Sequence, residues 1–228
     1  MSAGTLEVIL ALVISVVLHE LAHGAVARLL GDTTAQQAGR LTLNPLKHID
    51  PFGSILFPLI LAVGQLTTLG HVAFMYGWAN PVPVNPMELR LRGARHPRQL
   101  MAMVAAAGPL MNFALAVLGG FLLRTGQQAD FLAYFIEINL VLGMFNLFPM
   151  PPMDGGRIAV GVLPLPAARW LAGFERQGII LVLLVIFVLP LVLAQFGLRF
   201  DPFQQAMDHL LPWAERIVLR ISGAGHGN

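Results

Sequence analysis

The chain has 228 residues, of which 56% are hydrophobic and only 11% are charged, and its mean hydropathy is +0.71. Soluble domains carry about 25% charged residues, so this composition excludes an ordinary soluble domain and indicates a polytopic membrane protein. The net charge of +2 is too small to indicate nucleic-acid binding. The absence of cysteine excludes disulfides and thiolate metal ligands.

Apolar segments long enough to span a bilayer, about 20 residues each, recur along the chain. They cover residues 5–30, 53–75, 99–123, 131–149 and 177–196. We therefore predict an all-α bundle of about four to six transmembrane helices. Residues 1–196 would form a single membrane domain, because no loop is long enough for a separate soluble one. The tail, residues 197–228, has an interrupted amphipathic pattern and is predicted to lie as a helix on the membrane surface.

The first apolar segment contains, toward its C-terminal end, the motif L-H-E-L-A-H-G, residues 18–24. Residues four apart share a helix face, so His19 and His23 can bind one metal ion together. Glu20 is rotated by about 100° from His19, close enough to act on a metal-bound water as a general base. Ionisable groups facing lipid cost about 2.5–3.5 kcal/mol each, so these side chains should be coordinating, paired or buried. The alternative is a pair of histidines that only form hydrogen bonds within the bundle.

The second segment, residues 53–75, contains Pro58, Gly64 and Gly70, and basic loops precede and follow it. Both loops, residues 31–52 and 76–98, belong on the cytoplasmic side by the positive-inside rule. A re-entrant hairpin satisfies this rule, whereas a single span, which remains the alternative, does not.

The loop at residues 77–86 reads G-W-A-N-P-V-P-V-N-P, which is too rich in proline for a central strand. We predict an extended loop beside the site that adds a strand to an unwound substrate.

A catalytic zinc usually has three protein ligands, so a third is expected. The candidates in apolar surroundings are Glu137 and Asp154. Asp154 follows a proline-rich break and precedes Gly155 and Gly156, which would allow another backbone to approach closely. The alternative is that Asp154 only caps a short helix.

Three motifs together resemble the site-2 protease family of intramembrane zinc metalloproteases. They are H-E-L-A-H on the first helix, A-A-A-G-P-L-M-N at residues 105–112 and N-L-F-P-M-P-P-M-D-G-G at residues 146–156. The resemblance is to the small bacterial branch without PDZ or CBS domains. It implies one zinc ion per chain, held by His19, His23 and Asp154, with Glu20 as the catalytic base.

Two amides in these motifs, Asn112 and Asn146, are candidates for contacting the substrate or stabilising the oxyanion. For each, the alternative is a hydrogen bond between helices.

The resemblance implies hydrolysis of peptide bonds within or near transmembrane segments. The expected partners are the lipid bilayer and substrates that are transmembrane proteins or signal-peptide remnants. The expected location is the bacterial cytoplasmic (inner) membrane. The alternative from another class is a non-proteolytic zinc-binding membrane protein or metal transporter, because intramembrane His, Glu and Asp also mark ion pathways.

Overall fold

The computed structural model describes residues 3–69, 80–89, 96–126, 128–175, 177–197 and 200–224, and these residues contain helices and no strand. The α-helices are α1 (Ala3–Leu29), α2 (Thr34–Gln37), α3 (Phe57–Leu69), α4 (Pro97–Leu123), α5 (Ala129–Asn146), α6 (Asp154–Val162), α7 (Leu165–Ala172), α8 (Gly178–Leu183), α9 (Leu189–Gln195) and α10 (Pro202–Ser222). A 3₁₀ turn covers Pro45–Lys47, and π-helical stretches cover Pro51–Leu56 and Leu184–Val188.

Three helices in the described part of the chain, α1, α4 and α5, are long and apolar enough to cross a membrane. They correspond to the first, third and fourth apolar segments of the sequence, and they confirm the prediction of an all-α polytopic membrane protein. The segment at 177–196 is helical from Gly178 to Gln195, but a π-helical stretch divides it into short pieces.

Close packing of α1, α4 and α5 forms the centre of the bundle, with α4 in contact with both other helices. Gly119 on α4 permits this approach, since a Cβ there would lie 2.9 Å from a side-chain carbon of Ile136 on α5. Small residues play this part at helix contacts in membranes, where apolar burial adds little.

Helix α10 packs against α4 and α5 through Ala214 and Val218, which join a buried cluster with Ala116, Ile136 and Leu140. Its N-terminus is capped by Asp201, whose carboxylate accepts the N–H of Gln204 at 2.8 Å. The placement of this helix on the membrane surface, and the division into residues 1–196 and 197–228, remain predictions.

A hydrogen bond joins the chain just before the second apolar segment to the chain just after it. Asp50 caps the start of this segment by accepting the N–H groups of Phe52 and Gly53, and residues 51–69 then form one helical run without a chain reversal. The N–H of Asn80 donates to the carbonyl of His48 at 2.8 Å. The loops before and after the segment are therefore on the same side, as a re-entrant segment requires. The predicted hairpin is not formed within residues 53–69, and residues 70–75 lie outside the described chain.

Candidate metal centre

Three buried side chains from two helices converge on one point. His19 and His23 come from α1, and Asp154 is the first residue of α6. The two Nε2 atoms are 3.0 Å apart, and Oδ2 of Asp154 lies 3.2 Å from each of them. The structure thus brings together the three residues that the sequence identified as metal ligands.

Asp154 is brought to this point by a tight turn between α5 and α6. Gly155 and Gly156 lie against the backbone of that turn, and a Cβ on Gly155 would collide with the carbonyls of Leu147 and Phe148. Met153, not Asp154, occupies the N-cap position of α6, and the carboxylate of Asp154 faces the histidines instead. The alternative of a purely capping role for Asp154 is therefore not observed.

The cluster lies within the span of the helices rather than at their ends. His23 is six residues before the end of α1, and its partner Val104 is seven residues after the start of α4. At 1.5 Å per residue, both positions are about 10 Å from the helix ends. Since the hydrocarbon core is about 30 Å thick, the cluster sits inside the membrane-spanning part of the protein.

The second nitrogen of each imidazole is held by a neighbour on α4. Nδ1 of His23 donates to the carbonyl of Val104 at 2.8 Å, and Nδ1 of His19 donates to Oδ1 of Asn112 at 2.5 Å. In the neutral form of each ring, these bonds place the proton on Nδ1 and leave Nε2, which faces Asp154, able to bind a metal. Metal-binding histidines are oriented by such bonds to carbonyl or carboxylate partners.

The donor set fits a zinc ion. Two imidazole nitrogens and one carboxylate oxygen are ligands that catalytic zinc uses, and bonds of 2.0–2.2 Å in a tetrahedron separate the ligand atoms by about 3.3–3.6 Å. The observed separations of 3.0–3.2 Å are close to this range. Oδ2 of Asp154 is buried and makes no hydrogen bond. Three lone-pair atoms facing one another repel, and a cation between them removes that repulsion.

Gly108 on α4 leaves the space that this cluster needs. A Cβ at this position would lie 2.5 Å from Cε1 of His19 and 2.6 Å from its Nε2. Only a residue without a side chain fits beside both rings. The glycine of the G-P-L-M-N motif thus borders the metal-binding group directly.

Glu20 follows His19 directly on α1 and is half-buried. It is not part of the group formed by His19, His23 and Asp154. Its Oε2 accepts the backbone N–H of Val82 at 2.9 Å. Residues 80–85, which are neither helix nor strand, therefore lie beside the predicted base. Residues 77–79 of the predicted loop lie outside the described chain, and residue 86 begins a turn.

The two amides proposed for substrate or oxyanion binding have different surroundings. Asn112 is 0% exposed, and both ends of its amide are bonded, the oxygen to His19 and the nitrogen to Asn139 at 2.8 Å. We therefore favour the alternative for Asn112, a hydrogen bond between helices, over oxyanion binding. Asn146 donates to Leu142 in its own helix at 3.0 Å, and a role toward substrate remains a prediction.

Sequence reasoning missed two polar residues connected to this site. Asn139 on α5 and Ser15 on α1 are both buried and extend the hydrogen bonds of Asn112 away from His19. The sequence did contain an indication of their role, since a polar side chain within an apolar membrane-spanning segment needs a hydrogen-bonding partner. Ser15 also precedes His19 by four residues and so shares its helix face.

Comparison with known proteins agrees with the metal-binding group described above. The family model for peptidase family M50 matches residues 7–128 and 120–191. Over 197 residues, 80% of each chain, the sequence is 41% identical to "Putative zinc metalloprotease YwhC" of Bacillus subtilis. It is 29% identical to "Putative zinc metalloprotease Rip2" of Mycobacterium tuberculosis over 222 residues, 91% of this chain and 77% of that one. No solved structure matches significantly. The chain belongs to peptidase family M50 and is a zinc metalloprotease.

Proposed function

We propose that His19, His23 and Asp154 hold one zinc ion per chain, and that Glu20 is the general base for cutting a peptide bond within or near a transmembrane segment. The observation that carries the proposal is the buried triangle of donor atoms, 3.0–3.2 Å on each side, which joins two histidines of the membrane-spanning helix α1 to Asp154 of α6. The zinc ion itself follows from the family.

Zinc held by these residues would supply a Lewis acid for water and for the scissile carbonyl. The protein's own contribution to proton transfer is Glu20, which follows a ligand directly in the chain without being one of the three. Its carboxylate takes a proton from the attacking water and delivers it to the leaving amine. The N–H of Val82 fixes one carboxylate oxygen, which keeps the base oriented.

The substrate must be locally unwound, because the carbonyls of a helix are occupied by its own hydrogen bonds. Residues 80–85 support a place for such a segment, since they are non-helical and lie against Glu20. An extended chain there could add to them as a strand. We infer that the substrates are single-span membrane proteins or signal-peptide remnants with helix-weakening residues near the cut.

We also propose that the protein resides in a bacterial cytoplasmic (inner) membrane. The two relatives compared above are bacterial, and ten of the 14 basic residues fall on the side assigned to the cytoplasm by the positive-inside rule. The alternative of a non-proteolytic zinc protein or metal transporter is not favoured, because the relatives are named metalloproteases.

The test separates metal binding from chemistry by changing Glu20→Gln, which keeps the size of the side chain but removes its basicity. The protein is reconstituted in lipid with a panel of single-span helices that carry central Gly, Asn or Pro. Products are identified by mass spectrometry, and bound zinc is measured by elemental analysis. We expect the variant to keep about one zinc per chain and to lose proteolysis by about 10²-fold or more.

Glu7→Gln is the matched control, since Glu7 is a half-buried glutamate on the same helix. It lies 13 residues from Glu20, about 20 Å along the helix, and should cut at the wild-type rate. Cleavage that persists in Glu20→Gln would exclude Glu20 as the base. Full zinc content in both His23→Ala and Asp154→Ala would exclude the proposed ligand set.

A further inference from the structure

A chain of buried hydrogen bonds leads from the proposed metal ligand His19 through Asn112 to Asn139 and crosses three helices. We propose that Asn139 is a positioning residue. It fixes the orientation of the Asn112 amide, and through that amide it fixes which nitrogen of His19 carries the proton. This inference rests on the proposed function, because it takes His19 as a zinc ligand.

The orientation of Asn139 is set by the backbone of its own helix. Its Nδ2 donates to the carbonyl of Phe135 at 2.8 Å. A carbonyl oxygen can only accept, so the nitrogen end of this amide must face Phe135. The same nitrogen donates to Oγ of Ser15 at 2.8 Å, while the hydroxyl of Ser15 donates to the carbonyl of Ala11 at 2.7 Å. The backbone carbonyls of Phe135 and Ala11 can only accept, and they therefore fix the donor-to-acceptor direction of this series of hydrogen bonds at its Asn139 end.

The oxygen of Asn139 is consequently directed at Asn112. It accepts from Nδ2 of Asn112 at 2.8 Å, and this bond turns Oδ1 of Asn112 toward His19. An acceptor at that point selects the tautomer of His19 with the proton on Nδ1. Nε2 is then unprotonated and available to a metal, on the side where Asp154 lies.

A comparison with His23 shows why His19 needs a second amide behind its hydrogen-bond partner. Its Nδ1 donates directly to the backbone carbonyl of Val104, which cannot turn round. The partner of His19 is an amide, which presents either an acceptor or a donor depending on its orientation. A reversed Asn112 would offer an N–H to Nδ1 and leave the His19 proton on Nε2, where it blocks coordination. Asn139 removes this ambiguity.

The central variant is Asn139→Leu, which keeps the branched shape of the side chain, makes it somewhat larger and removes both of its polar groups. Zinc affinity is measured on the metal-free protein in detergent by competition with a chromophoric chelator, and folding by helical circular dichroism. We expect a 10- to 100-fold loss of zinc affinity, the range for loss of a group that orients a metal ligand. The Co²⁺-substituted protein should show an altered visible spectrum.

Two further variants distinguish orientation from packing. Asn139→Asp retains an oxygen for Asn112 and, when protonated in this buried place, an O–H for Phe135, so zinc affinity should stay near the wild-type value. Ser15→Ala also removes a buried hydrogen bond, but it leaves the bond from Asn139 to Phe135 in place. It should bind zinc almost as tightly as the wild type. A loss in Ser15→Ala as large as that in Asn139→Leu would overturn the proposal.

A double-mutant cycle tests the route through Asn112. In an Asn112→Leu background, Asn139→Leu should cause no further loss of zinc affinity, because its effect passes through the missing amide. Additive losses would overturn the proposal.

Should Asn139→Leu not fold, solid-state NMR of the wild type determines the orientation of the Asn112 amide directly. Nδ2 protons of Asn112 must lie nearer to Asn139 than to the His19 ring, and the reverse order excludes the inference.

Failure of this inference is distinct from failure of the proposed function. If the wild type binds zinc through His19, His23 and Asp154 while Asn139→Leu binds it equally well, only the positioning role is excluded. If His23→Ala and Asp154→Ala leave zinc binding unchanged, the proposed metal site itself is wrong.

Discussion

Asp32 accepts the backbone N–H of Asn85 at 2.7 Å through one carboxylate oxygen, although 53 residues separate the two in sequence. Its other oxygen accepts the N–H of Thr34 at 2.8 Å. Asp32 lies just after the end of α1 and is fully buried. With the bond from Val82 to Glu20, residues 80–85 are attached to the α1 region at two points. Asp32 therefore helps to hold the segment that lies beside the proposed base.

The ionisation of Asp32 should make the stability of the protein depend on pH. Burial raises the pKa of Asp32, but the hydrogen bonds from Thr34 and Asn85 outweigh it and hold the pKa below its ordinary value. Because the folded-state pKa is the lower one, the carboxylate stabilises the fold fully above the unfolded pKa of about 3.9. This contribution is lost as the pH falls through the folded-state pKa.

The variant Asp32→Asn removes the charge and places an amide N–H₂ against one of the two backbone donors. We expect it to lower the free energy of unfolding by about 1–3 kcal/mol at pH 7, the range for leaving a buried hydrogen-bond donor unsatisfied. Thermal unfolding in detergent measures the loss. The difference between variant and wild type should begin to shrink as the pH falls below the unfolded-state pKa of about 3.9, and it should disappear once the pH is below the folded-state pKa. A difference that is constant from pH 7 to pH 3 would contradict this account.

Gly108→Ala should damage the metal site even though alanine is the better helix former by about 1 kcal/mol. The new methyl group would overlap His19 and His23, so we expect zinc affinity to fall by at least about tenfold, a loss comparable to that of an orienting partner. Chelator competition measures this loss. The control is Gly64→Ala on α3, where an added Cβ meets nothing within 4 Å and zinc affinity should not change. Unchanged zinc affinity in Gly108→Ala would contradict the described packing.

The helices and the ligand group were predictable from sequence because each rests on local information. Apolar segments of spanning length indicate α1, α4 and α5, and the i, i+4 spacing places His19 and His23 on one face. Asp154 was one of two candidates from spacing and composition, and the family resemblance selected it. The structure adds the distances between the three ligand atoms, and the comparisons establish membership of peptidase family M50.

The hydrogen bonds around the site were not predictable, because their partners are far apart in sequence. Asn112 and Asn139 are 27 residues apart, and Asp32 and Asn85 are 53 apart, so no periodicity connects them. The sequence shows that a buried amide needs a hydrogen-bond partner, but it does not show which residue that partner is. For the same reason the interhelical interpretation of Asn112 could not be preferred until its surroundings were known.

The arrangement of the loops predicts which residues are accessible from each side of the membrane. A buried cluster brings Ala27 and Leu30, at the end of α1, together with Leu89 and with Leu100 near the start of α4. Residues 31–50 and 80–89 therefore lie at one end of the bundle. Thr125 follows the end of α4, a helix of 27 residues and about 40 Å, and lies at the other end.

Single cysteines test this arrangement directly, because the natural chain contains none. Leu46 and Met87 are 73% and 79% exposed, so Leu46→Cys and Met87→Cys should fold normally and react readily. In sealed vesicles, a membrane-impermeant maleimide should modify both from the same side and Thr125→Cys only from the opposite side. Labelling of positions 46 and 87 from opposite sides would mean that the chain between them crosses the membrane once. In that case the bond between Asn80 and His48 could not form, and the re-entrant arrangement would be wrong.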